Sequence, residues 1–450
     1  MKALEREIEI DFQQVTLQFK HFESLNSRRH AEIQKEFSSF LEGMLIRRSA
    51  RMFRFIQNLH NGLIEFKKML GIDAEKIFIQ FTNGDSHGEC ERAVIFEICG
   101  SKYVFKSRDP RPHLALHLVL TKIKEKTAID AVPPKFWSSP KNDWYVMPFL
   151  ESRPYASPAQ AREFMRSLGV VTAVAHALQM TDVHIDNLIA WNGRPVIIDA
   201  ECIFYSFTEH GKPPIEDRLL NTGLVSRWAN LSSILGAYRS NKAFGAKINN
   251  GDLAYVTSES GPSNNRLISK SGLPVNPADF CDEIIDGFED AYRQICSNRQ
   301  HLIRELKEIT IGMRTRFLLK LTVQYAATLE VLRCPFSGDT ATNLGRAIHH
   351  FSHAIGLSNT ADKETLKCEL RDLLDSDIPF FWTEEQESGP ALMHWTGRVK
   401  YFPSRDSLSK RIGRCIYSCS INDLPRLRKE LRSFLLKPSL IEEKITHVSL

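Results

Sequence analysis

Asn192-Gly193 stands between two short apolar runs, residues 188–191 and 195–198, and this turn limits how the chain can fold more than any other feature. A two-residue Asn-Gly connection selects a tight turn with both central residues at positive φ, so the flanking runs pair as antiparallel strands. Closing that hairpin returns Asp199 to the neighbourhood of Asn187. Upstream runs Thr181-Asp182-Val183-His184-Ile185-Asp186-Asn187 and downstream Asp199-Ala200-Glu201, so one turn gathers carboxylates, a carboxamide and an imidazole. Hard oxygen donors of this kind suit Mg²⁺, which completes its shell with phosphate and water. The plain alternative is a polar surface hairpin.

Composition allows a large core. A chain of 450 residues with 42% hydrophobic content has room for two to three domains or one two-lobed domain. The net charge of +5, from 59 basic and 54 acidic residues, requires neither nucleic acid nor a membrane surface as partner. The N-terminus carries acids and lacks the apolar core of a secretory signal. The longest apolar stretch, residues 168–180, includes His176 and is too short to cross a bilayer. A cytoplasmic chain without a transmembrane segment is the expectation. Nine scattered cysteines, an odd number, fit free thiols in a reducing compartment. Cys415 and Cys419 fall on one helix face, where packing outweighs a zinc site because no matching Cys or His pair lies nearby.

Met52, Ile56, Leu59, Leu63, Phe66 and Leu70 step by four and three, the spacing of one buried helical stripe. Strand-like runs follow at 77–79, 93–98 and 103–105, the last two closing a hairpin around Cys99-Gly100-Ser101-Lys102, with another run at 143–150. A turn-rich link at 154–160 leads into a helix over about 161–180. Residues 207–277 are rich in Gly, Ser, Asn and Pro, most loop-like at 258–265, with a short helix at 231–235. Helical patterns return at 279–332, 342–355, 363–374 and 421–436.

Asp182 and Asn187 have the D-x-x-x-x-N spacing of a protein-kinase catalytic loop, which pairs a base with a metal-binding Asn and uses a second Asp downstream. Taken alone, that string arises by chance in many proteins. Lys106 ends a strand, where a kinase holds the α- and β-phosphates, and Arg108 projects to the same side if the strand continues. An edge lysine in solvent is the commoner fate of such a residue. Gly84-Asp85-Ser86-His87 is a small turn whose amides suit a nucleotide or its metal, though Asp and Ser also serve to satisfy ordinary β-turns. Neither a G-x-x-x-x-G-K-[ST] loop nor a kinase G-x-G-x-x-G loop is present. The order of turn, strand Lys, connection, catalytic loop, hairpin and final Asp is the order a kinase-like fold requires.

These strings resemble the dehydratase domain of class II lanthipeptide synthetases, in Gly84-Asp85-Ser86-His87, Tyr103-Val104-Phe105-Lys106-Ser107-Arg108 and the segment from Thr181 to Glu201. The resemblance continues through Gly287-Phe288 with Tyr292, Arg316-Phe317-Leu318-Leu319-Lys320-Leu321-Thr322 with Tyr325, and Asp377-Ile378-Pro379-Phe380-Phe381, from about residue 50 to the end. It implies an α+β, lipid-kinase-like two-lobed fold, with an N-terminal helical layer over 1–75, a small β-rich N-lobe over 76–150 and a large helical C-lobe over 151–450. It implies ATP and Mg²⁺ as cofactors. A ribosomally made precursor peptide with a leader is the implied partner, its Ser and Thr phosphorylated and then stripped of phosphate to dehydroalanine or dehydrobutyrine. By the same resemblance Lys106 contacts nucleotide phosphates alongside Asp85, His87 and Arg108. Asp182 and His184 serve phosphoryl transfer, Asn187, Asp199 and Glu201 shape the metal site, and Arg316 with Thr322 forms the elimination pair. On one helix, six residues turn through roughly 600°, which leaves that pair about 120° apart. Without the resemblance, the two read as an exposed Arg and a packed Thr on an amphipathic helix.

The chain departs from the family pattern in places. His87-Gly88-Glu89-Cys90-Glu91-Arg92 sets His and Arg one residue further apart and replaces a Gly, Ser107 stands in place of a Pro, and Lys320 in place of an Arg. No long extension with Cys and Cys-His zinc ligands follows Asp377. The expectation is therefore a free-standing dehydratase, served by a separate cyclase or other maturation enzyme. Two other classes stay open, a kinase that stops at phosphorylation and an inactive module that binds a leader peptide.

Overall fold

The computed structural model describes residues 28–73, 76–82, 86–151, 157–183, 187–205, 218–225, 242–249, 252–259, 267–269, 275–320, 322, 325–326, 328–329, 363–399 and 406–436, with backbone alone for 28–41, 242–249, 252–259 and 363. The stripe at 52–70 belongs to a helix, α1 (Arg28–Leu70). Its buried side chains, from Met52 to Phe66, share a core with Val94, Phe96, Ile98, Phe105, Trp144 and Val146 of a five-stranded antiparallel sheet and the turn leading into it. That sheet consists of β1 (Phe78–Phe81), β2 (Val94–Ile98), β3 (Ser101–Lys106), β4 (Trp137–Ser138) and β5 (Tyr145–Pro148), in the order β1-β2-β3-β5-β4. The expected hairpin at 99–102 forms with a two-residue turn, pairing Ile98 with Ser101. Helix and sheet touch closely, since a methyl at Gly62 would lie 2.5 Å from the Phe105 ring.

Between β3 and β4 runs α2 (Arg111–Thr127). The expected helix near 161–180 is α3 (Pro158–Ala177), which Ser157 caps by accepting from the Gln160 amide. It is buried along nearly its whole length and packs on α4 (Cys281–Ser297), the partner with which it makes its main contact. The crossing is at backbone distance. A methyl on Gly169 would sit 2.0 Å from the Ile284 carbonyl oxygen, and one on Gly287 would sit 1.9 Å from that of Arg166. Between these helices in the chain the Asn-Gly hairpin forms as read, β6 (Leu188–Trp191) against β7 (Arg194–Ile197), with Asn192 at φ 47° and Gly193 at φ 73°.

A second hairpin, β8 (Lys242–Asn249) with β9 (Asp252–Glu259), occupies part of the span read as loop, and Ser258 is in a strand. The short helix expected at 231–235 and the helical pattern at 342–355 lie outside the described residues. The pattern at 279–332 is not one helical region. After α4 and α5 (Arg299–Ile309) the chain extends as β10 (Thr315–Phe317). Downstream of α6 (Lys363–Leu374) come β11 (Phe381–Gln386), β12 (Gly389–His394) and β13 (Gly397–Val399), which join β10 in a four-stranded antiparallel sheet. The mainly helical C-terminal half therefore includes a sheet that the helical reading did not contain. Helices α7 (Leu408–Tyr417) and α8 (Leu424–Leu436) complete the order. Cys415 in α7 and Cys419, which lies two residues beyond the end of that helix and so not on the helix face read for it, are both buried in the helical core. Among the described residues no helix is long and apolar enough to cross a membrane.

Ion pairs tie the second sheet to α1. Arg51 on α1 binds Asp375 and lies 3.6 Å from Asp372, Arg48 donates to the Ser376 carbonyl at 3.0 Å, and Asp377 accepts from the Cys90 amide at 3.1 Å. The turn before β11 is thereby pressed onto residues 86–91. The Ile378 amide donates to Ser86 O at 3.0 Å and the Gly88 amide to Ile378 O at 3.3 Å.

Candidate functional site

The segment carrying Asp182 leaves α3 and is held by its backbone on both sides. The Thr181 amide donates to Cys202 O and the Val183 amide to Thr222 O, each at 2.9 Å. Between them Asp182 sits at φ 65°, a left-handed conformation that a non-glycine residue adopts at a cost. Its carbonyl accepts the Asn187 carboxamide at 2.8 Å, and the Ile198 amide returns to Asn187 O at 2.9 Å. The hairpin thus brings Asp182, Asn187 and the 198–201 segment together, as the Asn-Gly turn requires.

Lys106 ends β3 opposite Tyr145 and reaches this cluster, donating to Ile198 O at 2.8 Å and to Asp199 Oδ2 at 3.0 Å. Burial works against the Asp199 charge, but Lys106 outweighs it and holds the carboxyl below its usual range. His113 on α2 accepts the Ala200 amide at 3.3 Å, and burial keeps it neutral by pushing its pKa down to about 4.

Arg316 is on strand β10, not on a helix with Thr322. Thr322 is helical and half-buried, so strand geometry separates the two before any helical turn begins. The extended backbone lets the Arg316 amide donate to Glu201 O at 2.9 Å while its guanidinium meets Glu201 Oε1 at 2.5 Å and Asp182 Oδ2 at 4.0 Å. Glu201 Oε2 lies 3.3 Å from Arg108, which in turn donates to Glu91 at 3.4 Å. Charges alternate along one row, Asp182, Arg316, Glu201, Arg108, Glu91. Both guanidiniums face the Phe380 ring, at 3.9 Å for Arg108 and 5.3 Å for Arg316.

Arg316, Glu201, Arg108 and Glu91 of this row form part of the wall of a cavity of about 740 Å³, together with His87, Trp382 and Trp395. His87 is set by the bridge to Ile378, and its buried Nδ1 has no hydrogen-bond partner among the described groups. Burial, reinforced by Arg316 and Arg108, holds the ring well below its ordinary pKa, so it is neutral.

Of the residues read as functional, Lys106, Arg108, Asp182, Asn187, Asp199, Glu201 and Arg316 form one connected cluster, and His87 lines the cavity that Arg108, Glu201 and Arg316 reach. Asp85 and His184 lie outside the described residues. Glu201 is engaged by two arginines. Asn187 and Asp199 supply hard oxygen donors, the chemistry suited to a cation that uses one or two carboxylates and takes the rest of its shell from phosphate and water. Among the described residues no group of three His, Cys, Asp or Glu side chains is arranged to hold a metal. Glu91, Trp382 and Trp395 carry no local signal in the sequence. Their place depends on the second sheet and on the ion pairs that press it against α1.

The family model described as Domain of unknown function (DUF4135) matches residues 39–384, a span that includes the whole charged row. A curated relative, the lacticin 481/lactococcin biosynthesis protein LcnDR2 of Lactococcus lactis subsp. lactis, is 23% identical over 262 residues. That alignment takes in 52% of this chain and 27% of the relative, so the chain spans about a quarter of the curated protein it matches. Among solved structures, the apoenzyme of macrolide 2'-phosphotransferase MphH from Brachybacterium faecium is 13% identical and covers 67% of this chain and 99% of its own, with a TM-score of 0.19. A score that low fixes nothing about the present fold.

Proposed function

The chain belongs to the family described as Domain of unknown function (DUF4135) and is class II lanthipeptide synthetase-like, and from that premise we propose that it is an ATP-dependent dehydratase of Ser and Thr in a precursor peptide. Phosphoryl transfer and phosphate elimination then share one site, and the lobes at 76–150 and 151–450 with the helical layer at 1–75 belong to the same reading. The observation that carries it is the position of Arg316, whose guanidinium lies between the Asp182 cluster and the open cavity.

In this reading Asp182 accepts the proton of the attacking hydroxyl, and its fixed backbone aims it. Lys106, already beside Asp199, meets nucleotide phosphate oxygens. Asn187 and Asp199 would hold Mg²⁺, which would supply positive charge to the phosphates when bound. Arg316 and Arg108 neutralise the phosphate as it leaves the peptide, and each gives up part of its contact with Glu201 to do so. Thr322 and His184 join the machinery on the strength of the resemblance.

The test is coexpression with a candidate precursor peptide, read by mass spectrometry. Loss of one water per modified residue supports the proposal, and Arg316→Ala is expected to accumulate peptide heavier by one phosphoryl group. Phosphorylated peptide from the wild type without any later loss of water would leave a kinase that stops at the first step.

A further inference from the structure

The cavity beside Arg108 and Arg316 holds several carboxylates, and they differ in what already binds them. Glu201 is gripped by Arg316 at 2.5 Å and Arg108 at 3.3 Å. Asp109 accepts from Arg111 Nε at 2.8 Å and from the Arg314 amide at 2.8 Å. Asp143 accepts the Ser139 hydroxyl, and Glu89 pairs with Arg54 at 2.6 Å. Glu65 is an exposed residue of α1. Glu91 touches one guanidinium, at 3.4 Å. Its backbone is fixed by reciprocal bonds with His87, N to O at 3.0 and 3.1 Å, so the carboxylate enters the cavity from a rigid turn.

We propose that Glu91 is the base that removes the α-proton of a phosphorylated Ser or Thr bound in this cavity, an inference that rests on the dehydratase reading above. The carboxylate takes the proton from Cα, and the C–H electron pair becomes the second bond between Cα and Cβ. The Cβ–O bond breaks with its electrons on the phosphate oxygen, and orthophosphate departs against Arg316 and Arg108. No oxidant or further reactant is needed. The groups facing Glu91 are Arg108 at the end of β3, Glu89 and His87 on its own turn, Glu201 after β7 and Asp377 before β11, with Arg316 on the same cavity wall. Burial, opposed by Arg108, pushes the carboxyl up to about 7, so it is a stronger base than an ordinary glutamate and still ionises near neutrality. His87 is the weaker candidate because burial and both arginines depress its affinity for a proton.

The experiment gives full-length wild type, Glu91→Gln and Glu91→Asp a synthetic phosphoserine form of the precursor peptide modified in coexpression, with ADP and Mg²⁺, and follows phosphate release from pH 5.5 to 9. Wild type is expected to speed up as pH rises through about 7. Glu91→Gln is expected to fall about 10²–10⁴-fold and lose that rising limb, while Glu91→Asp, with its carboxylate one carbon back, keeps the limb at a reduced rate. If wild type releases phosphate and Glu91→Gln matches it, the assignment of the base is wrong and the dehydratase reading stands. If wild type itself releases none, the dehydratase reading falls and the base with it.

Discussion

Replacing Gly287 with alanine places a methyl carbon 1.9 Å from the Arg166 carbonyl oxygen, where ordinary contact begins at 3.4 Å. The obstacle is helix backbone, which has no rotamer to change, so α3 and α4 must part by about 1.5 Å at the crossing. Phe288, Ile284 and Ile285 are buried at that seam, and a gap of this size removes much of the dispersion contact each makes. Steric strain and lost packing together give a cost of roughly 3–5 kcal/mol, or a fall in melting temperature of roughly 3–5 °C for a chain of 450 residues. Gly413 is the internal control, a glycine in α7 with nothing within 4 Å of the position a methyl would take. There alanine is expected to stabilise by about 0.5–1 kcal/mol through helix propensity alone. Thermal melts of both variants against wild type decide the matter. Gly287→Ala melting with wild type, or Gly413→Ala falling as far as Gly287→Ala, would refute a crossing set by backbone contact.

Three further outcomes follow from the site and its supports. Asp182→Asn keeps the shape of the loop but removes the base of the proposed phosphoryl transfer, and on that proposal ATP turnover with peptide is expected to fall about 10²–10⁴-fold without a change in melting temperature. Gly223 is at φ 83° with its absent methyl 3.2 Å from the Val183 backbone, so Gly223→Ala is expected to cost about 1–2 kcal/mol and to lower turnover beyond the loss of folded protein. Equal losses of activity and folded fraction would mean that the loop is not displaced. His394 opposes its burial by bonding Asp372 at 2.9 Å, and its pKa rises to about 9. Its stabilisation, on the order of 3 kcal/mol, is present in full below about pH 6.5 and is lost as pH climbs through about 9. Denaturant unfolding across that range should show the decline in wild type and not in His394→Gln.

Local chemistry makes part of this molecule legible in advance. Asn192-Gly193 dictates its own turn, and the stripe from Met52 to Phe66 dictates a helix with one buried face, because both signals are complete within a few residues. Asp199 is readable beside Asn187 because the hairpin returns it there, whereas Lys106 reads by itself as an edge lysine in solvent and meets Asp199 only through tertiary packing. Arg316 is not readable in this way. Its strand is three residues long, too short to show a period of two, and it follows two amphipathic helices whose rhythm masks the change.

What makes residues 315–317 extended is pairing with β11, whose residues lie far along the chain, as Arg316 opposite Trp382 illustrates. The same pairing explains how a single arginine serves two places. On a helix, the backbone amide would be spent on an internal bond four residues back. On this edge of the sheet it is available to Glu201 O, while the side chain meets the Glu201 carboxylate, so backbone and guanidinium address one residue together. Because the segment leading into β11 is itself held to α1 through Asp372 and Asp375, the position of Arg316 depends on ion pairs far from its own strand. A change at Arg51 should therefore reach the cavity through Phe380 and β10 without touching any residue of the Asp182 loop. On the proposed dehydratase reading, Arg51→Met is accordingly expected to weaken phosphate elimination more than phosphorylation, measured as the ratio of phosphorylated to dehydrated peptide. An unchanged ratio would show that β10 keeps Arg316 in place without the help of α1.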